Sequence, residues 1–196
     1  PPFKQGCIEA NAWVEEHADN LPTSFAAISK YPANYRKAIF IELTPEQKAN
    51  VWTGRIRKVL NNTKLNVEQY ALLGEFIENI SPAIYDKNAD RDLNISDKTI
   101  KSVFGETLAR NIFTSLSPEL EVKKNQKISI VSGMSRIVYD DGAGISRIEK
   151  QDCECNSVSD WCGLQDCDDN WRLCESSSWG CGTLWRYECN GACQWN

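Results

Sequence analysis

A chain of 196 residues has room for one ordinary domain, or for a mid-sized domain and a small satellite. A net charge of −5 excludes the basic footprint of a nucleic-acid partner. No stretch holds the ~18 uninterrupted apolar residues of a membrane-spanning helix, so the chain reads as soluble and not transmembrane.

The sequence opens Pro1-Pro2-Phe3-Lys4-Gln5-Gly6-Cys7 without an initiator methionine, and its single methionine is Met134. A cleaved secretory signal is the expectation. Lipidation at Cys7 is disfavoured, because Phe3-Lys4-Gln5 is not the apolar lead-in that such a signal requires. Residues 8–19, 23–30 and 33–41 are short helical candidates, separated by Pro22 and Pro32. His17, the only histidine, reads as an exposed helical residue among Glu15, Glu16 and Asp19, which removes histidine-based triads from consideration.

Thr44-Pro45-Glu46-Gln47 supplies a capping hydroxyl, a proline at the first helical position and a glutamine that can close a capping box. The helix it predicts carries Trp52, Ile56, Val59 and Leu60 on one stripe and stops at Asn61-Asn62. Asn66-Val67-Glu68-Gln69 repeats the capping logic for a helix with Leu72, Leu73, Phe76, Ile77 and Ile80, interrupted at Ser81-Pro82. Ser96-Asp97 starts a third stripe, through Ile100, Val103, Phe104, Leu108, Ile112 and Phe113, which ends near Ser117-Pro118. Between the last two, residues 86–97 place oxygen ligands as a calcium loop would. Arg91, however, stands where the sharp turn needs glycine and Asp97 is a short closing ligand, so a solvated polar loop is the simpler reading.

Residues 1–120 therefore predict an all-α domain, and the fold class is mainly α with a small disulfide-rich C-terminal module of loops and short strands. Residues 121–150 lose the helical period. Lys127-Ile128-Ser129-Ile130-Val131 and Ser135-Arg136-Ile137-Val138-Tyr139 suit a hairpin or an extended connector with turn chemistry. Arg136, Arg147 and Lys150 offer trypsin-like processing sites, which places a candidate cut between Lys150 and Gln151.

Residues 151–196 differ in kind. Eight of the nine cysteines fall here: Cys153, Cys155, Cys162, Cys167, Cys174, Cys181, Cys189 and Cys193. Eight acidic groups stand against two arginines, a local net of −6, while the rest of the chain is near neutrality. The cysteine gaps of one, six, four, six, six, seven and three residues do not match the paired spacing of a zinc ribbon, so a four-bridge framework is expected and no metal or other cofactor. Which of the 105 pairings forms is not decided by spacing. A segment this short cannot bury enough apolar surface to offset chain entropy unaided, and each bridge supplies roughly 2–4 kcal/mol. Bridges in this number point to a secreted or cell-surface location.

Five of the seven tryptophans also lie in this quarter. Trp161 and Trp185, each near a cysteine, are expected to fill a miniature core against the disulfides. Trp171, Trp179 and Trp195 are the candidate target-binding residues, as an exposed aromatic surface. Tandem acids such as Asp168-Asp169 read as solvated, no enzyme signature is present, and the chain is expected not to be an enzyme.

The run Cys153-Glu154-Cys155-Asn156-Ser157-Val158-Ser159-Asp160-Trp161-Cys162, followed by Trp179-Gly180-Cys181-Gly182-Thr183-Leu184-Trp185-Arg186-Tyr187-Glu188-Cys189-Asn190-Gly191-Ala192-Cys193, resembles the fulvocin C-related bacteriocin family. The resemblance covers about a quarter of the chain. It implies a small secreted antibacterial polypeptide with the preceding helical region as a pro-segment, its head engaging an envelope component or surface protein of target bacteria. Without a toxic activity, the same features suit a secreted or cell-surface interaction module acting uncleaved as a subunit of an envelope assembly. A secreted enzyme inhibitor is a third reading.

Overall fold

A computed structural model of the chain describes residues 2–62, 64–86, 93–119, 151–169, 174–175 and 177–194. Helices come first: α1 (Pro2–Glu16), α2 (Phe25–Ile28), α3 (Ala33–Glu42), α4 (Pro45–Asn62), α5 (Val67–Asn79), α6 (Asp97–Phe104) and α7 (Glu106–Phe113), with a 3₁₀ turn at Pro82–Tyr85. Among the described residues the cysteine-rich segment supplies six short strands: β1 (Gln151–Asp152), β2 (Asp166–Asp168), β3 (Cys174–Glu175), β4 (Ser177–Cys181), β5 (Tyr187–Cys189) and β6 (Ala192–Gln194). The protein is thus mainly α, followed by a small cysteine-rich module. Among the described residues no helix is long and apolar enough to cross a membrane.

Local chemistry accounts for the helix starts. Thr44 Oγ1 accepts from the Gln47 amide while Gln47 Oε1 accepts from the Thr44 amide, which satisfies two orphan donors at the head of α4. Asn66 and Gln69 form the same reciprocal pair at α5. Ser96 accepts from the Thr99 amide at α6.

Three sequence expectations need correction. The third stripe is not one helix. Gly105 adopts φ +73° between α6 and α7, so the chain turns there and the two short helices pack on each other. His17 is not an exposed residue within a helix. It lies just past the end of α1, half-buried, with its ring stacked on Trp13 at 4.3 Å and its Nδ1 2.8 Å from the Trp13 carbonyl oxygen. Trp161 and Trp185 are buried, but not in a miniature core of their own, as described below.

The strands pair in twos: β1 parallel with β3, β2 antiparallel with β6, and β4 antiparallel with β5. Cys167 lies opposite Cys193 in the β2–β6 ladder, and Cys155 bridges to Gly191. The hairpin or connector at residues 121–150, the calcium-loop positions 87–92, and Lys150, Trp171 and Trp195 lie outside the described residues.

The core is built around α4, which packs against α2, α5, α7 and the 3₁₀ turn. Trp52, Ile56 and Val59 of α4 are buried with Leu73, Phe76, Ile100, Ile112 and Phe113, as the stripes predict, and with Phe40 of α3. Phe76 and Phe104 pack on Phe113 with ring centroids 4.6 Å and 5.5 Å away. Two buried cations fix the ends of helices. Lys48 donates from Nζ to the Ile41 carbonyl near the end of α3. Arg55 donates to the carbonyls of Asn111 (2.9 Å) and Ser117 (2.7 Å), holding the turn that follows α7. Burial, with a smaller contribution from the charge of Arg36, lowers the pKa of Arg55 to about 10. Arg36 donates to the Leu116 carbonyl in the same turn.

Candidate functional site

Six of the predicted bridge-formers pair as Cys155–Cys167, Cys162–Cys193 and Cys181–Cys189, with Cα separations of 5.9, 5.4 and 5.1 Å. Cys153 is also disulfide-bonded. Gln151, at the candidate processing site, belongs to β1, and Trp179 lies within β4.

The decisive geometry lies where this cross-linked head meets the helices. After β4 the chain turns at Gly182 (φ +71°) and forms a 3₁₀ turn, Thr183–Trp185, that enters the helical core. A Cβ on residue 182 would stand 2.5 Å from Tyr187 Cδ2 and 2.7 Å from Ser159 Cβ, so only glycine fits. Leu184 is fully buried and Trp185 is 8 % exposed. The Trp185 ring meets Phe40 and Trp52 edge-on, with centroids 5.3 Å and 5.8 Å away. Its indole N–H donates to the Thr114 carbonyl at 2.9 Å, within the turn that Arg55 and Arg36 hold. From the other side, the buried Tyr85 hydroxyl donates to the Leu184 carbonyl at 3.1 Å. Head and helices therefore share one hydrophobic core, which the reading of a separately packed head did not anticipate.

A polar cluster beside this plug uses Asp97, the residue read from sequence as a poor calcium ligand. Its two carboxylate oxygens accept from Ser159 Oγ at 2.7 Å and from Thr183 Oγ1 at 2.5 Å. Thr183 Oγ1 also accepts from the Trp161 indole N–H at 3.0 Å, and Ser159 Oγ accepts from the Thr183 amide at 2.9 Å. Each hydroxyl thus donates to the carboxylate and accepts from a fixed N–H, the pattern of a lock between α6 and the head. Lys101 adds to it: Nζ donates to the Asp160 carbonyl at 2.8 Å and lies 4.8 Å from the Trp161 ring centroid. Further along, Lys37 on α3 places Nζ 3.5 Å from Cys189 Sγ and 3.9 Å from Cys181 Sγ.

Between body and head a cleft of about 260 Å³ remains, lined by Lys37 and Thr114 on one side and by Glu154, Ser159, Trp161 and Trp185 on the other. The loop closed by Cys155–Cys167 carries Val158 and Leu164, which are 76 % and 81 % exposed. Asp166, Asp168 and Asp169 are exposed in the same part of the chain. Sequence reasoning missed these two apolar residues because isolated Val and Leu carry no pattern. It missed Tyr85, Asp97, Ser159 and Thr183 because a lock is visible only once both of its halves are placed.

No known protein family, no curated protein and no solved structure matches this chain.

Proposed function

We propose that the protein is an extracytoplasmic interaction module that works uncleaved, the helical body holding a disulfide-stapled head toward a partner on a bacterial envelope. The observation that carries this reading is the seat of Trp185 in the body's core. Burying a tryptophan removes 150–250 Å² from water, roughly 4–6 kcal/mol, and releasing the head would forfeit it on both faces. The disulfides support an oxidising compartment. The disulfide-closed loop exposes Val158 and Leu164 in an acidic part of the chain, which suits an apolar contact with charged surroundings. Trp171, Trp179 and Trp195 are the further contact residues proposed from sequence.

A second reading follows from the resemblance of the cysteine pattern to fulvocin C-related bacteriocins: a secreted antibacterial head kept silent by the helical body until residues 121–150 are cut. One assay separates the two. Full-length chain and chain cut within residues 121–150 are applied to intact bacteria, and both cell binding and killing are scored. The interaction module predicts binding by the uncut chain, no killing by either form, and binding weakened at least tenfold in Val158→Asp/Leu164→Asp. Killing that appears only after the cut would overturn it in favour of the antibacterial reading.

A further inference from the structure

Two of the disulfides are not separate. The Sγ atoms of Cys155, Cys162 and Cys193 all lie within 4.8 Å of one another, and Cys167 Sγ is bonded to Cys155 Sγ. The two bonds therefore abut: three sulfurs form one group, and the fourth, Cys167 Sγ, is tethered to it through its bond to Cys155. From this juxtaposition we infer that the reduced protein carries a single four-thiolate site for a thiophilic divalent cation of the zinc class, made by Cys155, Cys162, Cys167 and Cys193.

The displacement required is small. Tetrahedral zinc with Zn–S bonds of about 2.3 Å holds its sulfurs about 3.8 Å apart. The bonded sulfurs must separate by less than ~2 Å, and those of Cys155, Cys162 and Cys193 must close across the two bridges by no more than ~1 Å. Cys167, which lies outside that trio but is tethered to it through Cys155, must swing in to complete the set by side-chain rotation. The backbone that positions them does not depend on the sulfur bonds alone. Cys167 and Cys193 are ladder partners in β2–β6, and Cys155 exchanges hydrogen bonds with Gly191, N to O in both directions at 3.1 Å. Gly191 also leaves the space the group needs, since a Cβ there would stand 2.7 Å from Cys167 Sγ. Cys155 and Cys162 are buried, so two of the four ligands are shielded from competing water. Cys181 and Cys189 belong to a different cluster, packed with Cys153 and lying beside Lys37, and take no part.

The chemistry balances as follows. Two equivalents of a phosphine reductant, each taking the oxygen of one water, convert the two disulfides to four thiols. One Zn²⁺ then binds the four sulfurs as thiolates and releases four protons. The oxidised chain has no such site, because its sulfurs are spent on each other. The pair of bridges is thus exchangeable for a metal staple, so a chain meeting reducing conditions keeps the head closed. This inference does not rest on the proposed partner or compartment.

The test reduces the full chain with a phosphine under anaerobic conditions, removes the reductant and titrates Co²⁺, then Zn²⁺ in competition. Expected is one Co²⁺ per chain, with sulfur-to-cobalt charge-transfer and tetrahedral ligand-field bands that Zn²⁺ bleaches. The bands should persist in Cys181→Ser/Cys189→Ser and fall at least tenfold in apparent affinity in Cys162→Ser and in Cys193→Ser. Absence of tetrahedral bands, including by unfolding of the reduced head, would overturn the inference. So would a band indifferent to Cys193→Ser.

Discussion

Trp185 reaches the helical core only because its own backbone and that of Leu184 adopt positive φ, 54° and 58°. For non-glycine residues that conformation costs about 1–2 kcal/mol each, so the contacts made by the plug must exceed it. They do so through two edge-on aromatic pairs and an indole hydrogen bond to Thr114. Replacing Trp185 with Ala removes these while keeping the strain, and should cost about 3–5 kcal/mol in denaturant unfolding. A loss under about 1 kcal/mol would mean that the plug is not seated as described. Tyr85 gives a pH test of the same contact. Burial raises its hydroxyl well above the ordinary 10, with the charge of Arg186 a smaller opposing influence. The folded state then holds a proton that the unfolded state gives up. The contribution of Tyr85 is therefore whole below pH 10 and is lost as pH climbs from there toward the folded value. Tyr85→Phe should cost about 1 kcal/mol at neutral pH, and the gap to wild type should narrow above pH 10. Arg55 titrates in both proteins, so the difference between them isolates the tyrosine. A gap that stays constant to high pH would contradict the buried donor.

At the scale of elements, two glycines in ordinary-looking surroundings should respond oppositely to alanine. Gly182 turns the chain into the plug at positive φ with side chains against it on two sides, and Gly182→Ala should destabilise by about 2 kcal/mol or more. Gly74, inside α5 with open space where a Cβ would go, should gain about 0.5–1 kcal/mol on substitution by Ala. Thermal or urea midpoints of the two variants check both signs. This contrast shows how far the sequence was legible. Helix starts at Thr44, Asn66 and Ser96 and the stripes through Trp52, Leu73 and Phe76 are local signals, set within one or two turns of chain. The break at Gly105 was missed because the apolar spacing runs through it, although glycine there only needs to reach φ +73° to end one helix and start the next. The lock of Asp97 with Ser159 and Thr183 spans 62 and 86 residues, and no local pattern encodes a partner at that distance. Asp97 was legible as a residue near a helix start and illegible as an acceptor for the head.

For the whole molecule, cysteine density announced the disulfide module but concealed its dependence on the helices. Four bridges appeared sufficient to close so short a segment alone, and on that view its tryptophans belonged to its own miniature core or to solvent. Instead the body supplies what the head lacks, a buried apolar seat, and the head completes the body's aromatic cluster of Phe40, Trp52 and Tyr85. The most direct test introduces a specific protease site within residues 121–150, cuts the oxidised chain there, and measures by gel filtration and mass analysis whether the two pieces stay together. The shared core predicts that they co-elute as one folded particle at micromolar concentration and separate when Trp185 is replaced by Ala. Wild-type pieces that part spontaneously, each retaining its native circular dichroism, would contradict it.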